Sequence, residues 1–149
     1  KNNAFYLLMK GFCQIGAVPK MAAGVKIDLM PVDVCAREVL TLTESDGRIY
    51  HIMSHDQPTL EEVVKALDES VRVVSDYEFI GILDEKSQTM DRELLAMLMN
   101  YWHSMRLQKQ TITVTNDLTM KALTQAGYVP EIPAPEQILK GFVTFAEGE

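Results

Sequence analysis

The sequence predicts an α/β fold that is mostly helical, with a few short strands. Three observations lead to this prediction. Apolar residues recur every three or four positions in several separate stretches, which is typical of amphipathic helices. Short apolar or β-branched runs lie between these stretches and suit strands. Residues 25–54 combine both patterns in the order strand, helix, strand, which is the crossover unit that parallel sheets use.

The central stretch supports the crossover prediction in detail. An apolar extended run at residues 27–30 meets Pro31, whose fixed φ and missing N–H suit the first turn of a helix. The polar residues 45–47 end that helix, and the mostly apolar residues 48–54 are predicted to form a strand. The residues predicted to form the buried stripe of the helix are Val32, Cys35, Ala36, Val39 and Leu40.

The rest of the chain reads as helices joined by short links. Helices are predicted at residues 1–15, from 59 to about 69, at 76–83, at 90–107, from 117 to Gly127, and at 135–146. Strands are predicted at 71–74 and 111–115, and a strand at 77–83 is an alternative to the helix there. Gly16 ends the first helix and residues 20–24 are expected to be a loop. Thr59 and Glu62 have the spacing of a capping box.

Composition bounds the possible functions. The 149 residues predict a single domain, 1–149, and 47% hydrophobic content is ordinary for a globular chain. No apolar run approaches the roughly 18 residues of a membrane helix, and no signal peptide is visible. The net charge of −7 argues against a nucleic-acid surface and against binding to anionic membranes. The first residue is Lys1 rather than Met, so the chain is expected to be a piece of a larger protein.

The sequence offers little catalytic chemistry of its own. It contains neither a glycine-rich dinucleotide turn nor a nucleophile elbow, and its cysteines and histidines lack metal-ligand spacing. Tyr6 and Lys10 are four residues apart, as in a Tyr-Lys proton-transfer pair, but a helix surface explains them better. Cys13 and Cys35 lie on apolar helix faces and are expected to be reduced, which favours a cytoplasmic protein. We therefore predict no catalytic, cofactor-binding or metal-binding residue in this chain.

Two carboxylates at the start of the central helix form the most suggestive polar pair. Asp28 precedes the helix and Asp33 lies in its first turn, where a negative charge is stabilised by the helix dipole. This structural role is sufficient to explain both residues.

The central stretch also resembles a known family. Asp28-Leu-Met-Pro-Val-Asp-Val, then an apolar helix and Arg48-Ile-Tyr-His-Ile-Met, is similar to the C-terminal part of thioester reductase domains. These are extended short-chain dehydrogenases at the end of nonribosomal peptide synthetases and carboxylic acid reductases. The resemblance continues upstream, from Asn3 to Pro19, and downstream, from Asp117 to Pro130.

The resemblance implies a substrate-side subdomain that lacks the main Rossmann sheet. In the parent enzyme, NADPH reduces an acyl or peptidyl thioester, carried on the phosphopantetheine arm of a carrier protein, to an aldehyde or alcohol. An N-terminal half of the same polypeptide would bind NADPH and hold the catalytic residues. The present chain would cover the acyl group and offer a docking surface to the carrier protein.

The longest predicted helix, at 90–107, supplies part of the expected substrate site. Its apolar stripe is predicted to be mainly core and contains Leu94, Met97, Leu98, Tyr101, Trp102 and Met105. Met99 falls on the opposite side of this helix, so packing does not explain it and a ligand contact would. The expected substrate-binding residues are Phe5, Met9 and Met99.

Two alternatives remain open from the sequence. The chain could be the substrate lobe of another extended short-chain dehydrogenase, such as a fatty acyl reductase or a sugar epimerase. A sugar site requires several converging polar groups, whereas the methionine-rich helices favour an acyl ligand. The other alternative is a helical protein-interaction module without enzymatic activity.

Overall fold

The computed structural model describes residues 3–43, 48–54, 56–107, 114–134 and 136–141. The helices are α1 (Ala4–Ile15), α2 (Lys20–Ala23), α3 (Val32–Leu42), α4 (Leu60–Leu67), α5 (Asp76–Lys86), α6 (Arg92–Leu107) and α7 (Asp117–Gln125). The strands are β1 (Ala17–Pro19) and β2 (Arg72–Val74), and residues 136–141 are helical as well. A mostly helical fold with short strands is thereby confirmed.

The chain divides into two compact units. Unit 1 consists of Lys1–Ile27 and Thr59–Thr111, and unit 2 consists of Asp28–Pro58 and Ile112–Glu149. Each unit combines two separate parts of the sequence. The prediction that residues 1–149 act as one substrate-binding subdomain stays a prediction.

The core of unit 1 is built where α1 packs on α6. Phe12 is fully buried, and its ring centroid lies 6.2 Å from that of Phe79 and 5.9 Å from that of Tyr101. Gly11 lets the two helices approach, because a Cβ placed there would lie 3.0 Å from the Leu98 Cγ atom. That distance is shorter than ordinary van der Waals contact, so with a side chain at position 11 the Leu98 side chain would have to shift.

Local capping explains where the helices of unit 1 begin and end. The Asn3 side chain accepts a hydrogen bond from the Phe5 N–H at 2.8 Å, and Gly16 ends α1 with a left-handed φ of 67°. Thr59 and Glu62 form the predicted capping box of α4. Ser75 accepts from the N–H of the third residue of α5 at 3.1 Å, so residues 77–83 form a helix rather than the alternative strand.

The sheet of unit 1 differs in part from the prediction. Residues 72–74 form the expected strand, which pairs in parallel with β1 so that Ala17 lies opposite Arg72. Residues 20–24 are not simply a loop, because Lys20–Ala23 forms the short helix α2. The Asp76 side chain accepts a hydrogen bond from the Met21 N–H at 3.1 Å. This contact joins residues 55 positions apart, so no local pattern could have predicted it.

The strand–helix–strand crossover predicted at residues 25–54 is wrong in its two strands. Neither residues 27–30 nor residues 48–54 form a strand in the part of the chain that the structure describes. Side chains satisfy several of their backbone groups instead: Asp28 Oδ1 accepts from the N–H groups of Met30 and Ser54, each at 3.1 Å. From α7 and its N-cap, Thr119 Oγ1 donates to the His51 carbonyl at 2.9 Å and Asn116 Nδ2 to the Met53 carbonyl at 3.0 Å.

The predicted helix of unit 2 is present as α3, but the prediction of its buried face is wrong. The buried residues are Val34, Glu38 and Leu42, which lie four residues apart on one face toward α7. Val32 and Leu40 are 83% and 69% exposed, Val39 and Ala36 are exposed as well, and Cys35 is half-buried. The helix therefore buries a glutamate and exposes much of the apolar stripe that the sequence placed in the core.

Two further predictions fall partly outside the described residues. Of the strand predicted at 111–115, only residues 114 and 115 are described, and they are not in a strand. Of the helix predicted at 135–146, residues 136–141 are described, and they are helical.

Burial of Glu38 makes the stability of unit 2 depend on pH. Its side chain is 2% exposed, and burial raises the pKa of its carboxyl above 4.5, with a further increase from the charge of Asp28. Because the folded-state pKa is higher than the unfolded one, the contribution of this residue to stability is lost as pH rises above about 4.5.

We expect Glu38→Gln to remove this loss. The free energy of unfolding of the variant, relative to that of the natural chain, should be larger at about pH 7 than at about pH 4. Chemical denaturation at the two pH values measures the difference. A variant that is more destabilised at neutral than at acid pH would show that the fold stabilises the ionised carboxylate.

Candidate functional site

Unit 1 contains a groove formed by residues of α2, α5 and α6. Its volume is about 480 Å³, and its lining consists of Met21, Asp76, Tyr77, Ile80, Trp102 and Arg106. The side chain of Ser75 caps the start of α5. The first two turns of α5 contribute Asp76, Tyr77 and Ile80 to the lining. On α6, Trp102 and Arg106 are four residues apart and share a face for the same reason.

The groove has apolar walls and charged groups among its lining. The Arg106 guanidinium lies 4.8 Å from the centroid of the Trp102 ring, a cation–π distance. The Trp102 Nε1 atom is buried and has no hydrogen-bond partner among the described residues. The Asp76 carboxylate is engaged by the Met21 N–H, and Tyr77 is 92% exposed. Apolar walls with few polar groups suit an extended, largely apolar ligand.

The three residues predicted to bind substrate lie on α1 and α6, in the same unit, but do not line this groove. Met9 is fully buried in the core of unit 1, and Phe5 is half-buried on α1. Met99 is 43% exposed on α6, three residues before Trp102. Their roles as substrate contacts stay predictions.

The burial pattern of α6 agrees with the predicted division between its two sides. Leu98 is fully buried and Met99 is exposed, as the helical spacing requires. Of the remaining stripe, Leu94 is buried, whereas Met97, Tyr101, Trp102 and Met105 are half-buried. Sequence analysis assigned Trp102 to the core and did not identify the groove residues of α2 and α5. Their convergence depends on the long-range contact between Asp76 and Met21.

The contacts of the other reactive side chains singled out from the sequence are those of structural residues. Lys10 Nζ lies 5.9 Å from the centroid of the Tyr6 ring, on the surface of α1. Asp33 pairs with Arg37 at 3.8 Å, and both side chains are about two-thirds exposed. Both cysteines are free, and burial, aided by the charge of Asp68, raises the pKa of the Cys13 thiol to about 11. A thiol with that pKa is almost entirely protonated at neutral pH and is a poor nucleophile.

Neither glycine with positive φ among the described residues opens a helix. Gly16 and Gly127 have positive φ, but each lies at the end of a helix, whereas a pyrophosphate site needs glycines at the start of one. Within the described ranges, no group of three His, Cys, Asp or Glu side chains could hold a metal ion. In the same ranges, no helix has the length and hydropathy needed to span a membrane.

Solved structures with the same fold come from reductase proteins. The chain aligns over 99% of its length with 31% of a thiolation-reductase di-domain from an archaeal non-ribosomal peptide synthetase, with a TM-score of 0.78 and 22% identity. It aligns over 98% with 38% of the reductase domain of the aureusimine biosynthetic cluster, with a TM-score of 0.79 and 19% identity. The chain has the fold of part of a reductase domain. The fold resemblance inferred from residues 28–54 and their flanks is thus confirmed.

The chain spans about a third of the length of these solved chains. A scan against protein-family models and a search of curated proteins find no match. The comparison therefore establishes the fold.

We expect Leu98 and Met99 to respond differently to truncation. Leu98→Ala leaves a cavity beside Gly11 and should lower the free energy of unfolding by about 2–5 kcal/mol. Met99→Ala removes an exposed side chain and should change it by less than about 0.5 kcal/mol. Thermal denaturation of the two variants in parallel measures the contrast. Equal losses of melting temperature would mean that Met99 is also a core residue.

Proposed function

We propose that this chain is the substrate-side part of an NADPH-dependent thioester reductase. The complete enzyme would release an acyl or peptidyl group from a carrier protein as an aldehyde or alcohol. The observation that carries the proposal is the fold match. Nearly the whole chain aligns with each of the two solved structures, and both contain a reductase domain. The motif at residues 28–33 and its flanking helices support the same assignment.

In this proposal the work is divided between two parts of the enzyme. An N-terminal nucleotide-binding half would hold NADPH, and NADPH would supply the hydride there. The present chain would bind and orient the thioester and keep water away from it. Positioning of this kind lowers a reaction barrier without any catalytic side chain in this part.

The groove of unit 1 is our candidate for the pantetheine arm and the first atoms of the acyl group. Its volume of about 480 Å³ lies in the range of small-molecule sites. Met21, Ile80 and the Trp102 ring supply apolar surface, and the Arg106 guanidinium is a suitable partner for the phosphate of the arm. Met99 and the half-buried Phe5 would extend this binding side along α6 and α1, whereas Met9 lies in the core beneath it.

The lining of the groove also bears on the alternatives. A sugar-nucleotide lobe would need several hydrogen-bonding groups around the hydroxyls, and the groove has mainly apolar walls with two charged groups. This favours an acyl ligand over a sugar. The partners in our proposal are the nucleotide-binding half and a phosphopantetheinylated carrier protein, and the compartment is the cytoplasm.

Trp102 provides a direct test because it is the only tryptophan of the chain and lines the groove. Titration with octanoyl-pantetheine should produce a saturable change in tryptophan fluorescence. Tyr77→Ala should weaken the apparent affinity about fivefold, roughly 1 kcal/mol, because it removes one wall of the groove. The matched control is Glu85→Ala, an exposed residue of the same helix outside the lining, which should leave the affinity unchanged.

Two results would contradict the groove assignment. One is an absence of any saturable fluorescence change with octanoyl-pantetheine. The other is an equal change with a sugar nucleotide, which would favour the epimerase-like alternative.

A further inference from the structure

The groove of unit 1 contains a carboxylate among mainly apolar lining residues. Asp76 is half-buried at the first position of α5, and its Oδ1 atom accepts a hydrogen bond from the Met21 N–H at 3.1 Å. In the first turn of a helix, the helix dipole also stabilises a negative charge. These two features explain the place of Asp76 in the fold, but they use only part of a group that can accept about four hydrogen bonds. The carboxylate can therefore still bind a ligand in the groove.

The positive charge of the groove does not neutralise this carboxylate. Arg106 is the other charged lining residue, and its guanidinium lies over the Trp102 ring. Among the residues that the structure describes, neither Asp76 nor Arg106 forms an ion pair. The groove thus presents one negative and one positive group that are not paired with each other. This arrangement complements a ligand that carries opposite charges at separate positions.

A ligand that fills the groove removes water from Asp76. An unsubstituted fatty acyl chain has no hydrogen-bond donor, so the carboxylate would lose hydration without a replacement, which weakens binding. An ammonium on the ligand would instead donate a charge-assisted hydrogen bond to it. The neighbouring lining residue Tyr77 is 92% exposed, so its ring is available to contact the same cation. Such a site distinguishes ligands by what they supply to the carboxylate.

We propose that Asp76 selects acyl groups that carry an ammonium on the carbon next to the thioester carbonyl. This inference rests on the proposed function, in which the groove holds the pantetheine arm and the first atoms of the acyl group. With the phosphate of the arm at Arg106, the acyl end of the ligand would reach Asp76, the other charged lining residue. The substrate class is then an aminoacyl thioester with a free α-amine, in preference to a fatty acyl thioester or an N-acylated one.

Titration of the 149-residue chain with four pantetheine ligands tests the proposal. Each ligand has an amide in place of the thioester, so that it does not hydrolyse, and the fluorescence of Trp102 reports binding. The acyl groups are octanoyl, 2-aminooctanoyl, 2-acetamidooctanoyl and 8-aminooctanoyl. At about pH 6.5 both amines are protonated. We expect the 2-aminooctanoyl ligand to bind about tenfold more tightly than each of the other three.

A substitution at position 76 shows whether the carboxylate causes this preference. Asp76→Asn retains a side-chain oxygen for the Met21 N–H and removes the charge. It should reduce the preference for the 2-aminooctanoyl ligand to less than about twofold. The matched control is Asp84→Asn, which removes the same charge from an exposed position of α5 outside the lining. The control should keep the tenfold preference, because the net charge of the chain changes equally in both variants.

Several results would overturn the inference. One is equal binding of the octanoyl and 2-aminooctanoyl ligands by the natural chain, a comparison that needs no variant. A second is a preference that Asp76→Asn retains. A third is binding of the 2-acetamidooctanoyl or 8-aminooctanoyl ligand as tight as that of the 2-aminooctanoyl ligand, because an α-ammonium would then not be what the site recognises.

The octanoyl ligand separates this inference from the proposed function. Saturable binding of octanoyl-pantetheine without any preference for the amine contradicts only the role of Asp76. A lack of binding by all four ligands contradicts the groove assignment in the proposed function as well.

Discussion

The close packing of α1 on α6 is the constraint on which the candidate groove depends. Gly11 allows the approach, and Leu98 and the Phe12 ring fill the space between the helices. This contact fixes the position of α6 and therefore of Trp102 and Arg106, which lie about one and about two turns beyond Leu98. The facing side of the groove is fixed from α5, whose residue Asp76 also holds the start of α2. The site is thus a consequence of core packing and of one long-range hydrogen bond.

Unit 2 follows a different principle, because polar contacts arrange its extended segments. Asp28 joins two of them through backbone N–H groups, and α7 with its N-cap holds the carbonyls of residues 51 and 53. The buried face of α3 then includes Glu38, with a raised carboxyl pKa, while much of its apolar surface is left outside. Burying a carboxylate while exposing apolar side chains lowers the stability of unit 2.

Local signals predicted the elements of this fold well, and long-range contacts explain the errors. The Asn3 cap, the Gly16 stop and the Thr59 capping box depend on neighbouring residues, so the sequence reveals them. The burial difference between Leu98 and Met99 follows from helical spacing alone. The face of α3 was predicted wrongly because an apolar stripe indicates contact without indicating the partner. The groove was missed because its lining residues are brought together by tertiary contacts between separate helices.

The most direct test of the account is the thioester-dependent oxidation of NADPH by the full polypeptide, with an acyl-loaded carrier protein as substrate. The account predicts that NADPH is consumed only when the thioester is present, and that an aldehyde or alcohol is released in step with it. It also predicts that the polypeptide lacking residues 1–149 loses this activity while retaining NADPH binding. Unchanged turnover without residues 1–149, or no thioester-dependent consumption by the complete protein, would contradict the account.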